Sequence, residues 1–387
     1  MPFKILFLLT DPFGMGGVQS DMLAMAEHLP RKGHDVLVAT RPGLLVPEVA
    51  ARGGRFLSLD CHFRDPASFL LAALRLRRLI RAEAVDLVAP QSIRTAMLCH
   101  FSLRMLPFGQ RSPDTGHRLP IVATVHNVHS PSNFRYGGKI LNRCADQVTF
   151  ESHYERNRLL AHGLLPDRSC VIHSGIDTAR FRPREPAAEL LGRYGLDPGR
   201  HKVFGIVARL SEEKGHDLLL KAFARVHGAD PSTRLLVVGD GPLLAATRAR
   251  AAALGLHDVV IFAGPQRDIP EMLALIDIFV LASTRESFPL AAREAMAVGR
   301  AVIAPRIGGC PEVVDHGRTG LLYEAGDVPA LAAAMNLLLA EGRYREYGRA
   351  ARKVVEERFS LVNWIDSLEA VYVRHVGLKG TGGPGAT

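Results

Sequence analysis

Two carboxylates stand eight positions apart in RESFPLAARE (285–294), Glu286 and Glu294. Pro289 lies between them, and the apolar run IFVLAS (278–283) lies just before. Such a pair can be the acid and base of a hydrolase, a set of metal ligands, a clamp on a bound ligand, or two solvated charges. Proline suits the first turn of a helix, where its missing N–H is not needed. Glu286 then falls in the turn after a strand, and Glu294 about a turn and a half into the helix, so the acids do not share one helical face. They can touch two parts of one elongated ligand, although spacing alone favours two surface acids.

Upstream, VARLSEEKGHDLLLKAF (207–223) ends a strand at Ala208 and places Arg209 and Lys214 around a short loop before Gly215. Two cations at the carboxyl end of a strand can hold a diphosphate without a metal, Arg as a fork of donors and Lys as a point charge. Both can equally be surface charges. DPFGMGGVQS (11–20) sets Gly16 and Gly17 between a strand and a helix, where backbone N–H groups can approach a phosphate. Its spacing is not the dinucleotide GxGxxG, which disfavours a dehydrogenase. IVATVHNVHS (121–130) ends a strand on His126, on the ligand side of a parallel sheet, although a single histidine is more often structural. His126 and His129 straddle a strand end and form no helical metal pair; no HExxH or DxD occurs, so no metal site is expected. VVGDGPL (237–243) and IGGCPEVV (307–314) read as turns that shape the backbone.

These loops need strands to carry them. Short Leu-rich and β-branched runs such as KILFLLT (4–10), DVLVAT (35–40), VFGIVA (203–208) and AVIAP (301–305) alternate with helical patterns. Runs apolar on both faces, alternating with helices, mean parallel sheets covered on both sides. The pattern resets within residues 177–202, rich in Pro, Gly and charge. The chain therefore reads as two doubly wound α/β units in tandem, with the ligand at the carboxyl ends of the strands and the natural site in the cleft between them. Residues 342–375 read as strongly helical and carry Trp364; the glycine-rich tail 377–387 is expected to be disordered.

Composition narrows the function. The 387 residues exceed one ordinary domain. No apolar run reaches the ~18–20 residues of a membrane span, and the N-terminal apolar stretch reads as a strand, not a signal peptide. Five separated cysteines without a CxxC suit a reducing cytosol. The net charge of +9 attracts anions such as nucleotides or acidic lipid headgroups. No nucleic-acid-binding motif accompanies it, so no nucleic-acid partner is expected.

Taken together and in order, GGVQ (16–19), VHN (125–127), SGIDTARFRP (174–183), VARLSEEKG (207–215), VVGDGPL (237–243), ESFPLAAREAMAVGRAVIA (286–304) and IGGCPEVVDHGRTGLL (307–322) resemble the GT-B glycosyltransferases of family 4. The resemblance spans about residues 4 to 375 and is strongest over 203–325. It implies a GT-B fold, two Rossmann-like domains facing a central cleft. Residues 1–180 would bind the acceptor and 181–360 the nucleotide-sugar donor. The helix 361–376 would pack back on the first domain. By the same resemblance, Arg209, Lys214, Gly16 and Gly17 would hold the donor diphosphate. Glu294 would bind the ribose, and the backbone at Phe288, Pro289 and Leu290 would approach the sugar and phosphate. Glu286 and His126 would sit at the reacting sugar. The implied chemistry is front-face substitution with retention, without cofactor or metal, the leaving diphosphate helping to take the acceptor's proton. Ala208, Pro289 and Gln19 depart mildly from the family's usual Gly, Gly and Glu.

The acceptor is less legible. FLLAALRLRRLIRAE (69–83) sets Arg75, Arg77, Arg78 and Arg81 beside a Leu/Ile face, and 104–120 and SNFRYGGK (132–139) add basic and apolar residues. Together they suit a glycan or lipid-linked acceptor reached from an anionic membrane surface, against the plainer reading of an ordinary helix and an exposed loop. A nucleotide-sugar hydrolase or epimerase with Glu286 as acid/base, and a non-catalytic sugar-nucleotide-binding protein, are the alternatives.

Overall fold

The computed structural model describes residues 2–14, 16–105, 118–126, 128 and 131–377. Much of the 104–120 loop, Asn127, His129, Ser130 and the tail from 378 lie outside these residues. The chain divides into two compact units, Met1–Ser174 with Val362–Thr387, and Gly175–Leu361.

In the first unit the strands are β1 (Lys4–Leu8), β2 (Asp35–Thr40), β3 (Arg55–Ser58), β4 (Leu87–Pro90), β5 (Val122–Val125), β6 (Gln147–Phe150) and β7 (Ser169–Val171). They are ordered β3-β2-β1-β4 and β5-β6-β7, all pairs parallel. A parallel bridge from Val88 to Ile121 links the two sets. Inward residues such as Leu6, Leu37, Val88 and Ile121 are fully or almost fully buried in one core. The helix Leu361–Gly377 belongs to this unit from Val362 onward. Its Tyr372 ring meets Phe7 of β1 edge-on at 6.3 Å. Lys32 reaches Asp366 and Glu369 at 2.7 Å each.

The second unit holds β8 (Lys202–Val207), β9 (Thr233–Val238), β10 (Val260–Gly264), β11 (Ile278–Val280), β12 (Ala301–Pro305) and β13 (Gly320–Tyr323). Their order is β10-β9-β8-β11-β12-β13, and every pair is parallel. The two-residue period of a strand explains the apolar runs. Leu236, Val238, Phe279 and Val302 enter the core on one face, while Leu235, Val237, Ile278 and Ala301 enter the core on the other.

The stretch 342–375, read from sequence as strongly helical with a helix at 361–376, forms two helices, Arg343–Arg358 and Leu361–Gly377. The break falls where another segment takes the backbone: Ile176 N–H donates to Phe359 O and Leu361 N–H to Ile176 O. These groups are then unavailable to a continuing helical ladder.

Candidate active site

Strand order in the second unit reverses between β8 and β11, and in such sheets the space beyond the carboxyl ends at that reversal is where ligands bind. The chain leaves β8 through Arg209 to Lys214, ending in a 3-10 turn at Glu212–Lys214, and leaves β11 through residues 281–289. The two loops meet in one ion pair. Lys214 Nζ donates to Glu286 Oε1 at 2.7 Å, and Ser283 Oγ donates to the same oxygen at 2.7 Å. Glu286 is nearly buried, its side chain 9 % exposed, against 26 % for Lys214. The acid therefore fixes the lysine, while the remaining ammonium N–H groups can serve an anion.

Arg209 is the more exposed cation. Its Nη2 lies 2.9 Å from Glu213 Oε1, which Ser211 Oγ also reaches at 2.6 Å. The Ser211 hydrogen bond first, and then Arg209, hold the Glu213 carboxyl down at about 2 against the opposing effect of burial. Beneath this loop His216 is buried, and desolvation, helped by Lys214, lowers it to about 4. It stays neutral at neutral pH and adds no competing charge.

Pro289 is the N-cap of the helix Leu290–Ala297, one residue before the first helical position rather than inside the first turn. Phe288 turns its ring into the core against Phe359, at 5.6 Å, and under the Arg293 guanidinium, at 4.1 Å. Only its backbone is left to face a ligand. Glu294 is crowded by protein yet keeps part of its surface accessible, as in a recess. Loss of water raises its carboxyl to about 7, opposed by Arg293 and Arg180.

That shift makes stability depend on pH. Between the ordinary glutamate value of ~4.3 and about 7 the folded chain keeps a proton that the unfolded chain has lost, so stability falls as pH rises through this window. The cost above the window is on the order of 3 kcal/mol. Glu294→Gln is expected to be more stable than the parent at pH 8 and equal to it near pH 4.5, as read by denaturant unfolding at both pH values. A difference independent of pH would contradict this.

Two glycines let neighbouring loops approach. Gly308, at φ +55°, lies so close to the Glu286 carbonyl that an added Cβ would sit 1.5 Å from its oxygen. Gly239, at φ +135°, packs in the same way on Ala208, where a Cβ would lie 2.0 Å from the carbonyl oxygen. VVGDGPL and IGGCPEVV thus shape backbone, and the backbone they shape carries Arg209 and Glu286. Cys310 is buried near Glu286, and burial pushes its thiol well up, so it is no nucleophile.

In the first unit, helix Gly17–Arg31 opens at Gly16 with no side-chain cap and no acid in its first turn. This leaves backbone donors open to an anion. His126 follows β5 and is buried. Gln91 Nε2 donates to Ala89 O at 2.8 Å, so its Oε1 faces His126 Nε2 at 2.8 Å and assigns a proton to that nitrogen. His126 Nδ1 lies 3.0 Å from Glu151 Oε1 and 3.9 Å from Asp21 Oδ2. Asp21, His126 and Glu151 lie close enough together to hold a cation. His126 also lines a pocket of ≈ 320 Å³ with Thr10, Asp11, Ser92, Arg94 and Val128.

The family model "Glycosyl transferases group 1" matches residues 195–354, and "Glycosyltransferase Family 4" matches residues 15–180. The chain is 30% identical to GDP-mannose-dependent alpha-(1-6)-phosphatidylinositol monomannoside mannosyltransferase of Mycolicibacterium smegmatis, over 93% of this chain and 94% of that one. The chain belongs to the family 4 glycosyltransferases. N-acetyl-alpha-D-glucosaminyl L-malate synthase of Bacillus anthracis is a further relative, 29% identical over 80% of each chain. Among solved structures, a glycosyltransferase from Rickettsia africae superposes with TM-score 0.82 at 22% identity, covering 97% of this chain and 98% of that one. HepE of Anabaena, in complex with UDP and glucose, gives TM-score 0.82 at 22% identity over 96% and 99%. These likenesses place the family 4 chain in the GT-B fold.

Within this family 4 glycosyltransferase, Arg209, Lys214, Glu286, Phe288, Pro289, Leu290 and Glu294 lie in the second unit, and Gly16, Gly17 and His126 in the first. The sequence reading missed Ser211, Glu213, His216 and Ser283 around the cations, and Gln91, Asp21 and Glu151 around His126. Lys214 and Glu286 are 72 positions apart, and His126 and Gln91 are 35 apart, so only strand order could have joined them.

Proposed function

We propose that this enzyme transfers a sugar, with retention and without metal, from a nucleotide-diphosphate sugar to a glycan or lipid-linked acceptor in cell-envelope synthesis. The observation that carries this reading is the Lys214–Glu286 pair at the β8/β11 reversal, inside the segment matched by the group 1 family model. Arg209 and Lys214 bind the diphosphate and stabilise the charge that grows as it leaves, an effect worth ~3–4 kcal/mol for one preorganised donor. Glu286 anchors Lys214 through one oxygen and offers the other to the donor sugar. Glu294 accepts from the ribose hydroxyls. The backbone at Phe288, Pro289 and Leu290 borders sugar and phosphate. In the first unit, Gly16 and Gly17 contact the diphosphate and His126 the sugar. The diphosphate oxygen takes the acceptor proton as the new glycosidic bond forms and the anomeric C–O bond breaks.

The test is NMR of the glycoside formed in the presence of EDTA. Product with the donor's anomeric configuration is expected at an unchanged rate. Inverted product, or a strict need for a divalent cation, contradicts the reading.

Membrane contact is supported by the helix Pro66–Ala82, which leaves Leu70, Leu71 and Leu74 exposed at 43%, 49% and 39% beside exposed Arg75, Arg78 and Arg81. Arg77, in contrast, is buried. No helix among the described residues is long and apolar enough to cross a membrane. The phosphatidylinositol mannoside relative bears a lipid acceptor in its name. The malate synthase and the D-inositol 3-phosphate glycosyltransferases of mycobacteria name small acidic acceptors, which favours a soluble acceptor as the second reading. Flotation decides: binding to anionic but not neutral liposomes, weakened by Leu70→Ser with Leu74→Ser, is expected for a lipid-linked acceptor. Equal recovery with both vesicles favours the soluble one.

A further inference from the structure

A pocket of the second unit, ≈ 750 Å³, lies away from the loops just described. Lys202 and Val203, Asp277, and Val298 to Arg300 line it, so it opens at the amino ends of β8, β11 and β12. Arg209 and Glu286 follow the carboxyl ends. The six-residue β8 separates the two ends by about 20 Å.

Its lining is cationic. Arg184, Lys202, Arg300, Arg345, Arg349 and Arg352 face three carboxylates, Glu185, Asp197 and Asp277. Half of these cations have work within the fold. Arg184 pairs with Glu271. Arg300 Nη2 donates to Ala274 O at 3.1 Å, and Arg352 Nη1 to Ala297 O at 2.6 Å, closing the carboxyl ends of two helices. Two of the carboxylates are also engaged: Asp277 Oδ2 accepts Val203 N–H at 2.9 Å, and Asp197 Oδ1 accepts Gly199 N–H at 2.9 Å. The other cations are different. Arg345 and Arg349 stand one turn apart on helix Arg343–Arg358, and Lys202 lines the same pocket. Among the described residues none of these three has an ion-pair partner. Six cations against three carboxylates leave the lining net positive, which raises the local potential and attracts an anion. Between them Pro183, Leu191, Leu196 and Leu275 give apolar wall, which suits a small molecule with a carbon skeleton better than a bare ion.

We propose that this pocket binds a small phosphate-bearing molecule, with Arg345, Arg349 and Lys202 as the anion contacts, at a site separate from that of the donor. Arg352 ties the pocket to the chain crossing between the units, since its guanidinium also donates to Thr178 O at 3.1 Å and to Phe181 O. An occupant would therefore bear on the segment that leads out of the first unit.

The test uses the full chain and two probes, pyrophosphate and glucose 6-phosphate, followed by calorimetric titration. Arg345→Glu with Arg349→Glu alters exposed side chains only and should leave the fold intact, as checked by thermal unfolding. Arg209→Ala with Lys214→Ala removes the proposed donor clamp instead. Glucose 6-phosphate is expected to bind the parent and the Arg209/Lys214 variant alike, and to bind the Arg345/Arg349 variant at least about tenfold more weakly. Pyrophosphate should show two sites, each variant losing one. Absence of glucose 6-phosphate binding, loss of it in the Arg209/Lys214 variant, or full retention in a folded Arg345/Arg349 variant would overturn the proposal. Anionic vesicles form the third arm: binding to vesicles but to neither soluble probe would assign the cations to a lipid headgroup surface and overturn it as well.

Discussion

Lys214→Ala and Glu286→Ala are each expected to lower turnover at least about 100-fold, and the double replacement to lower it little further. The reason is that the two side chains act as one group. Lys214 Nζ sits 2.7 Å from Glu286 Oε1, and the acid is nearly buried. On the proposed donor site, removing the acid frees a long flexible lysine from the position in which it would meet the leaving diphosphate. Removing the lysine takes away that charge and leaves a poorly hydrated carboxylate beside the donor's phosphates, where it repels them. Steady-state kinetics on the three variants give the coupling directly. Single variants near parental turnover, or losses that simply multiply in the double variant, would contradict the shared role. Glu286→Gln should fall between, since the amide oxygen can still accept from Lys214.

The second large effect is expected at Gly308. Alanine there meets a backbone oxygen, not a side chain that could rotate away, and must also adopt φ +55°. A stability loss of roughly 2–4 kcal/mol follows from overpacking and the left-handed backbone together. Turnover should fall by more than the stability loss explains at a temperature where the variant is folded, because relief of the clash must move the Glu286 carbonyl and hence the anchored Lys214. Gly317 is the control. It has φ +79° with nothing within 4 Å of an added Cβ, so Gly317→Ala should cost only about 1 kcal/mol and leave turnover unchanged. Thermal unfolding and kinetics on both variants check this; equal effects would show that strain alone, and not the approach to Glu286, sets the outcome at 308.

The doubly wound character was legible because strands buried on both faces must be apolar at successive positions, as β12 is throughout and β9 is from Leu235 to Val238. The helical character of 342–375 was legible, but not what ends the first helix before Phe359, since local periodicity carries no sign that Ile176 takes the backbone there. Glu286 and Glu294 could be separated by spacing, one on a loop and one in a helix. That Glu286 grips Lys214 could not, because the pairing depends on which strands neighbour each other. The same holds for His126. The strand end was legible, but the proton on Nε2 follows from Gln91, which reaches it from β4's exit. Glu294's high protonation point needs the packing around it, which no motif encodes.

The central claim is that the β8 and β11 loops hold the diphosphate of a nucleotide-sugar donor. The most direct measurement is calorimetric titration of UDP, GDP and ADP into the parent chain and into Arg209→Ala with Lys214→Ala. At least one nucleoside diphosphate should bind the parent, and the variant should bind it about 100-fold more weakly or worse. Binding of equal strength to a folded variant, or of no nucleoside diphosphate to the parent, would contradict the account.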